Sequence, residues 1–168
     1  MRLFVAIPLD QAVRNSLINL QNDLFTLGVR GNYTSEENLH ITLAFIGEYP
    51  EPDAVMDALS SVSFSPIPIA LDGIGSFGDL WWAGISGSPA LEAVSRRVRR
   101  ALAENGIPFD RKRFSPHITL LRKANMPKIP PAELHPAEMT ADRIVLFRSD
   151  RGKNGMIYTE LGSILSNL

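Results

Sequence analysis

A chain of 168 residues with 45% hydrophobic side chains is long enough to bury one core and too apolar for disorder as its main state. It has no cysteine, which excludes a disulfide framework, a thiolate nucleophile and a Cys-ligated zinc, and its net charge of −1 excludes a global pull toward nucleic acid. No stretch approaches a membrane span, and the opening apolar run, broken by Pro8 and Asp10, is too short for a signal peptide. A soluble cytoplasmic protein with no membrane partner is expected.

Residues 2 to 8 read as a short buried strand. From Asp10 the apolar positions Val13, Leu17, Leu20 and Leu24 recur at helical spacing, with Gly28 as the stop. Past a polar turn through Thr34 to Asn38, the segment Leu39 to Ile46 is rich in β-formers, and a short helix is expected near Asp53 to Ser61. The order then repeats. Leu80 to Ile85 reads as a strand, and Ser88-Pro89 as a helix start. Leu91, Val94, Val98 and Leu102 form the helix stripe, and Ser115 to Leu121 reads as a further strand. Strands near Arg143 to Arg148 and Met156 to Leu161, joined by a turn over residues 150 to 155, close the chain as a hairpin.

Sliding the sequence by 77 positions without a gap sets Phe4 on Trp81, Ala6 on Ala83, Leu17 on Val94, and His40-Ile41-Thr42-Leu43 on His117-Ile118-Thr119-Leu120. At ordinary residue frequencies a second identical tetrapeptide has a probability on the order of a thousandth, so the pattern is an internal duplication. The fold expected is α+β and bilobal, with duplicated strand-helix-strand units about a pseudo-two-fold axis and antiparallel sheets lining a central cleft. One domain over residues 1 to 168 is expected, with lobes built from residues 2 to 61 and 79 to 122 and closed by a hairpin over 139 to 163.

Side chains alternate along a strand, so His40 and Thr42 share one face while Ile41 and Leu43 share the other, as do His117/Thr119 against Ile118/Leu120. If the oily faces form the core, the polar faces present two imidazoles and two hydroxyls across one cleft. That set suits phosphodiester cleavage. One neutral imidazole takes a proton from an attacking water, and a protonated one gives a proton to the leaving oxygen. Residue types alone leave open which histidine does which. Two histidines with no suitably spaced Asp, Glu or Cys make a thin ligand set, so neither a metal nor any other cofactor is expected. A non-catalytic module that holds an RNA end or a nucleotide in the same cleft is the competing reading.

Two His-x-Thr-Leu motifs in a duplicated chain of this size resemble the two-histidine (2H) phosphoesterase superfamily. The nearest match within it is the bacterial RNA 2′,3′-cyclic phosphodiesterase family, also called 2′-5′ RNA ligases. The match runs through Arg2 to Ile7, Asn38 to Gly47, Phe114 to Arg122, Leu146 to Ser149 and Tyr158 to Leu161. The resemblance implies hydrolysis of RNA 2′,3′-cyclic phosphate ends to 2′-phosphomonoesters, reversible toward 2′-5′ ligation. It further implies His40 as proton donor to the leaving 3′-oxygen, and His117 as the base that activates water. Thr42 and Thr119 would then bind the phosphate. The partner expected is an RNA or oligonucleotide with a cyclic phosphate end; no obligate protein partner is expected, and the chain reads as a monomer.

Around the second motif, Arg111, Lys112, Arg113, Arg122 and Lys123 form a basic window with no carboxylate. Arg113 and Arg122 are candidate RNA ligands, although strict alternation puts Arg122 on the face opposite His117, and a bulge or curl is needed to bring it round. Phe4, Phe114, Trp81 and Trp82 are candidate base-stacking residues whose commoner role is core. Arg96, Arg97, Arg99 and Arg100 read as the wet face of a helix, and His135, in a Pro-rich loop with no partner at the repeat offset, as a surface residue.

Overall fold

The computed structural model describes residues 1 to 167. Its strands are β1 (Arg2–Pro8), β2 (Asn32–Tyr33), β3 (His40–Glu48), β4 (Ile67–Phe77), β5 (Leu80–Ile85), β6 (His117–Arg122), β7 (Glu138–Ala141), β8 (Arg143–Gly152) and β9 (Gly155–Leu165). Its helices are α1 (Gln11–Thr26), α2 (Pro52–Leu59) and α3 (Pro89–Glu104). Local chemistry sets the helix ends. Asp10 caps α1 by accepting from the Val13 amide, and Ser88 caps α3 by accepting from the Leu91 amide with Pro89 behind it. Gly28, at φ +95°, ends α1 in the left-handed region.

The strands form two antiparallel sheets, ordered β3-β1-β8-β9 and β2-β6-β5-β4-β7. The run β6-β5-β4-β7 repeats β3-β1-β8-β9, so each motif strand borders its own copy of the first strand. The helices are exchanged between the halves. α1 follows β1 but packs against the second sheet near β7, while α3 follows β5 but reaches across to β3 of the first sheet, keeping contact with β4 of its own. The buried stripes, Val13, Leu17, Leu20 and Leu24 on α1 and Leu91, Val94, Val98 and Leu102 on α3, join one core with the oily faces of β1, β3, β5 and β6.

The duplication is real but not gapless. In the motif strands the offset is 77, whereas the ladders equate Val5 with Trp81 and Ile7 with Ala83, an offset of 76. The helix caps Asp10 and Ser88 lie 78 apart, and this offset superposes the buried stripes. The pairings of Phe4 with Trp81, Ala6 with Ala83 and Leu17 with Val94 are therefore each one residue out. A two-residue insertion before the second helix and a one-residue deletion after it, both in connecting segments, account for the drift, because turns tolerate such changes and strands do not.

Other differences are local. β4 carries no strand signal in the sequence, since Pro68, Gly73 and Gly75 interrupt it; the structure absorbs the break as a register shift between Leu71 and Ile74, with Gly73 at φ +76°. The C-terminal hairpin is longer than expected: Asp150 and Arg151 belong to β8, and the turn is confined to Lys153-Asn154. The sheets also do not divide at the repeat boundary, as β2 joins the second sheet and the β8-β9 hairpin completes the first. Among the described residues, no helix is long and apolar enough to cross a membrane.

Candidate active site

β3 and β6 face each other where the two sheets meet, and the polar sides of both motifs open into one cleft of about 270 Å³. His40, Thr42, His117, Thr119, Arg122 and Phe4, all singled out from the sequence, line it together. Arg113 does not join them; it is exposed on the loop before β6 and outside the cleft lining.

Each imidazole is held by the backbone just upstream of its own strand. His40 Nδ1 lies 2.6 Å from the Asn38 carbonyl, and His117 Nδ1 lies 2.6 Å from the Ser115 carbonyl, at equivalent positions of the two motifs. A carbonyl only accepts, so both Nδ1 atoms carry hydrogen. That leaves Nε2 of each ring free to take or give a proton in the cleft. His40 Nε2 meets the Thr42 hydroxyl at 2.8 Å, a partner that can donate to the neutral ring or accept from the charged one.

The surroundings of the two rings differ. His40 packs against Phe4 at 5.0 Å and edge-on to Tyr158 at 5.5 Å, within a cluster completed by Phe147. Burial lowers the pKa of His40 below its ordinary value; the nearby His117 and Arg122 push the same way, and the hydrogen bond to Asn38 opposes them. The same burial raises the Tyr158 hydroxyl above its usual range, with Arg122 pulling it back, so Tyr158 enters the cleft as a neutral hydroxyl. His117 instead meets Phe77 edge-on at 5.2 Å and Trp82 at 6.3 Å.

Arg122 reaches the cleft because of a bulge. In β6 the register slips between Thr119 and Leu121, leaving Leu120 as the extra residue; in β3 the slip between Thr42 and Ala44 leaves Leu43 in the same place. Two consecutive residues thus face the core, Leu43-Ala44 and Leu120-Leu121, and the next side chain returns to the cleft side as Phe45 and Arg122. Arg99 belongs to this arrangement and is more than a wet-face residue: its Nε donates to the Leu43 carbonyl at 3.2 Å, and a terminal nitrogen donates to the Lys112 carbonyl at 2.7 Å.

Several lining residues were not anticipated: Arg2, Thr34, Asn38, Phe45, Ser149, Met156 and Tyr158. Asn38 donates its side-chain amide to the Met156 carbonyl at 2.8 Å, tying the first motif to the hairpin that carries Tyr158. Of the stacking candidates, Phe4 is buried yet borders His40, Trp81 is core, Trp82 flanks His117, and Phe114 lies beneath the Arg99 guanidinium. His135 is exposed, as expected. Among the described residues no group of three His, Cys, Asp or Glu is placed to hold a metal ion.

A family model described as the 2′-5′ RNA ligase superfamily matches residues 29–153. The chain belongs to this superfamily. Within it, the chain is 34% identical to an RNA 2′,3′-cyclic phosphodiesterase of Thermus thermophilus, over 96% of this chain and 88% of that one. It is 27% identical to another of the same name from Thermotoga maritima, over 96% and 93%. A relative of that name from Geobacillus stearothermophilus is 32% identical over 71% of this chain, and the alignment spans 41% of that protein's length. Among solved structures, E. coli LigT complexed with 3′-AMP superposes at a TM-score of 0.85 with 27% identity, over 99% of this chain and 98% of that one. A structure described as a phosphoesterase superposes at 0.90 with 26% identity and the same coverage. These likenesses agree with the α+β fold of paired antiparallel sheets.

Proposed function

We propose that the whole chain acts as one catalytic domain that hydrolyses RNA 2′,3′-cyclic phosphate ends to 2′-phosphomonoesters, with a reverse reaction that joins 2′-5′ linkages. The observation that carries this reading is the matched pair of imidazoles. Both rings are fixed through Nδ1 to equivalent backbone carbonyls, and both line one cleft.

In-line displacement at phosphorus needs a base behind the nucleophile and an acid at the leaving oxygen, on opposite sides of the phosphate. His117 Nε2 takes the proton of water, and His40 Nε2 gives one to the 3′-oxygen. Thr42 and Thr119 hydroxyls donate to the non-bridging oxygens, and Arg122 supplies the positive charge that offsets the pentavalent phosphorane. Burial biases His40 toward its neutral form; the charge of an incoming phosphodiester opposes that bias and helps it hold the proton it must deliver. No metal takes part in this scheme. The relatives named for cyclic phosphodiesterase activity support it.

The test is to supply RNA ending in a 2′,3′-cyclic phosphate to metal-free protein and locate the phosphate in the product. A 2′-phosphate is expected. Binding without turnover would favour a non-catalytic module, and activity lost with a chelator would favour a metal-dependent hydrolase.

A further inference from the structure

The two histidines sit in equivalent places, but their aromatic neighbours come from different strands: Phe4 and Tyr158 beside His40, and Phe77 and Trp82 beside His117. Counting along the ladders, Phe147 on β8 and Phe77 on β4 are counterparts: Phe147 pairs with Phe4, and Phe77 with Leu80, the residue equivalent to Phe4. On the His40 side, β9 runs the full length of β8 and lays Tyr158 edge-on against His40. On the His117 side the strand in the place of β9 is β7, which pairs with β4 only over Ile67–Ala70 and stops seven residues short of Phe77. Among the described residues no strand borders β4 beside Phe77 as β9 borders β8 beside Phe147, and the edge-on place that Tyr158 takes at His40 is held at His117 by Phe77 itself.

Phe77 is consequently 49% exposed although it is the ring nearest His117. It is also firmly placed. It ends β4 at a two-residue hairpin through Gly78 and Asp79, with Gly78 at φ +62°, and the Asp79 carbonyl accepts from the Ala124 amide. Its ring rests on Trp82 at 5.4 Å, and the indole in turn lies over Gly75, where an added Cβ would come within 2.3 Å of it.

We propose that Phe77, backed by Trp82, is the stacking face for the nucleobase of a 5′-hydroxyl ribonucleoside that enters beside His117 and attacks the cyclic phosphate in place of water. The inference rests on the reading above, in which His117 serves the attacking oxygen and His40 the leaving one. The incoming nucleoside must then approach from the His117 side, where the exposed Phe77 ring lies. The O5′–P bond forms as the P–O3′ bond breaks; the 5′-hydroxyl proton passes to His117 and the 3′-oxygen takes one from His40. The products are a 2′-5′ diester and a free 3′-hydroxyl. Stacking on Phe77 holds the alcohol at phosphorus and displaces water from the same position, so this ring sets the balance between joining and hydrolysis.

The experiment mixes an oligoribonucleotide ending in a 2′,3′-cyclic phosphate with a 5′-hydroxyl oligoribonucleotide and reads joined and hydrolysed products together. In Phe77→Ala the ratio of joined to hydrolysed product should fall roughly tenfold, the loss expected for one base–aromatic stack, through a higher half-saturating concentration of the 5′-hydroxyl strand. Phe77→Leu, which keeps an apolar contact with Trp82 but lacks a flat face, should fall with it, and Phe77→Trp should hold the ratio. An unchanged ratio, an equal loss of both products, or a wild-type protein that hydrolyses but joins nothing at saturating 5′-hydroxyl strand would overturn the proposal. A wild-type protein inert toward the cyclic phosphate would overturn the underlying reading, and this one with it.

Discussion

Gln21 on α1 donates its side-chain amide to the Leu120 carbonyl at 2.9 Å, the carbonyl of the bulged residue in the second motif. Its counterpart 78 residues on is Arg99, which treats the Leu43 carbonyl of the first motif in the same way, helped by the Ser95 hydroxyl at 3.2 Å. A bulge leaves its extra residue outside the ladder, and a buried carbonyl left without a donor costs free energy. Each helix therefore supplies the donor that lets the other half's motif strand bulge and turn Arg122 or Phe45 toward the cleft.

Gln21→Leu keeps the volume but removes the donor. The Thr34 amide, at 2.9 Å from the same carbonyl, remains. A loss of about 1–3 kcal/mol is expected, seen as a lower urea midpoint at unchanged slope. A midpoint equal to wild type would mean that the carbonyl needs no second donor.

His40→Ala and His117→Ala should each lower turnover of a cyclic-phosphate substrate by at least about a hundredfold, the low end for a lost acid or base. The double variant should be far less impaired than the product of the two single losses, because the pair works in one step. Fully multiplicative losses in single-turnover rates would refute concerted action.

Burial disfavours protonated His40, so the unfolded chain binds that proton more readily than the folded one. Stability carried by this group is intact well above the ordinary histidine pKa. It falls as the pH drops through that value, and levels off below the lowered folded pKa. His40→Gln should remove this component. Thermal midpoints of the two proteins, compared between pH 8 and pH 5, should show the steeper acid loss in wild type; parallel curves would contradict it.

Arg122→Ala removes the only cation that the bulge turns into the cleft from β6. Loss of a charge-assisted phosphate contact predicts a drop of roughly tenfold to a hundredfold in kcat/KM, partly restored in Arg122→Lys. Arg113→Ala, outside the cleft lining, should matter only for RNA long enough to reach that loop. Equal effects of the two alanine variants on a cyclic mononucleotide would remove the distinction between them.

Much of this site could be read in the chain because the chemistry repeats. His40 and His117, each two residues from a threonine, announce a shared face, and the helix stripes announce the core. The bulge was less visible, although it left a trace: Leu43-Ala44 and Leu120-Leu121 are adjacent apolar pairs inside otherwise alternating strands, which is how one extra residue looks when both neighbours face inward. β4 was hidden by Pro68, Gly73 and Gly75: the register shift against β5 spans Gly73, and Pro68 is tolerated where β4 pairs with β7 alone. Tyr158 stood in a segment that carries the family resemblance, but nothing in that segment placed it in the cleft. Its place beside His40 depends on which strand β8 pairs with, a long-range choice that no local pattern encodes.

The exchange of helices also governs how the protein comes into being at the ribosome. α1 is complete after Thr26, yet the strands it meets, β6 through the hydrogen bond from Gln21 to Leu120 and β7 by packing, are not synthesised until Arg122 and Ala141. For most of translation the first half waits with an oily helix and no partner sheet, and the bulge of the first motif lacks its Arg99 donor until α3 has emerged.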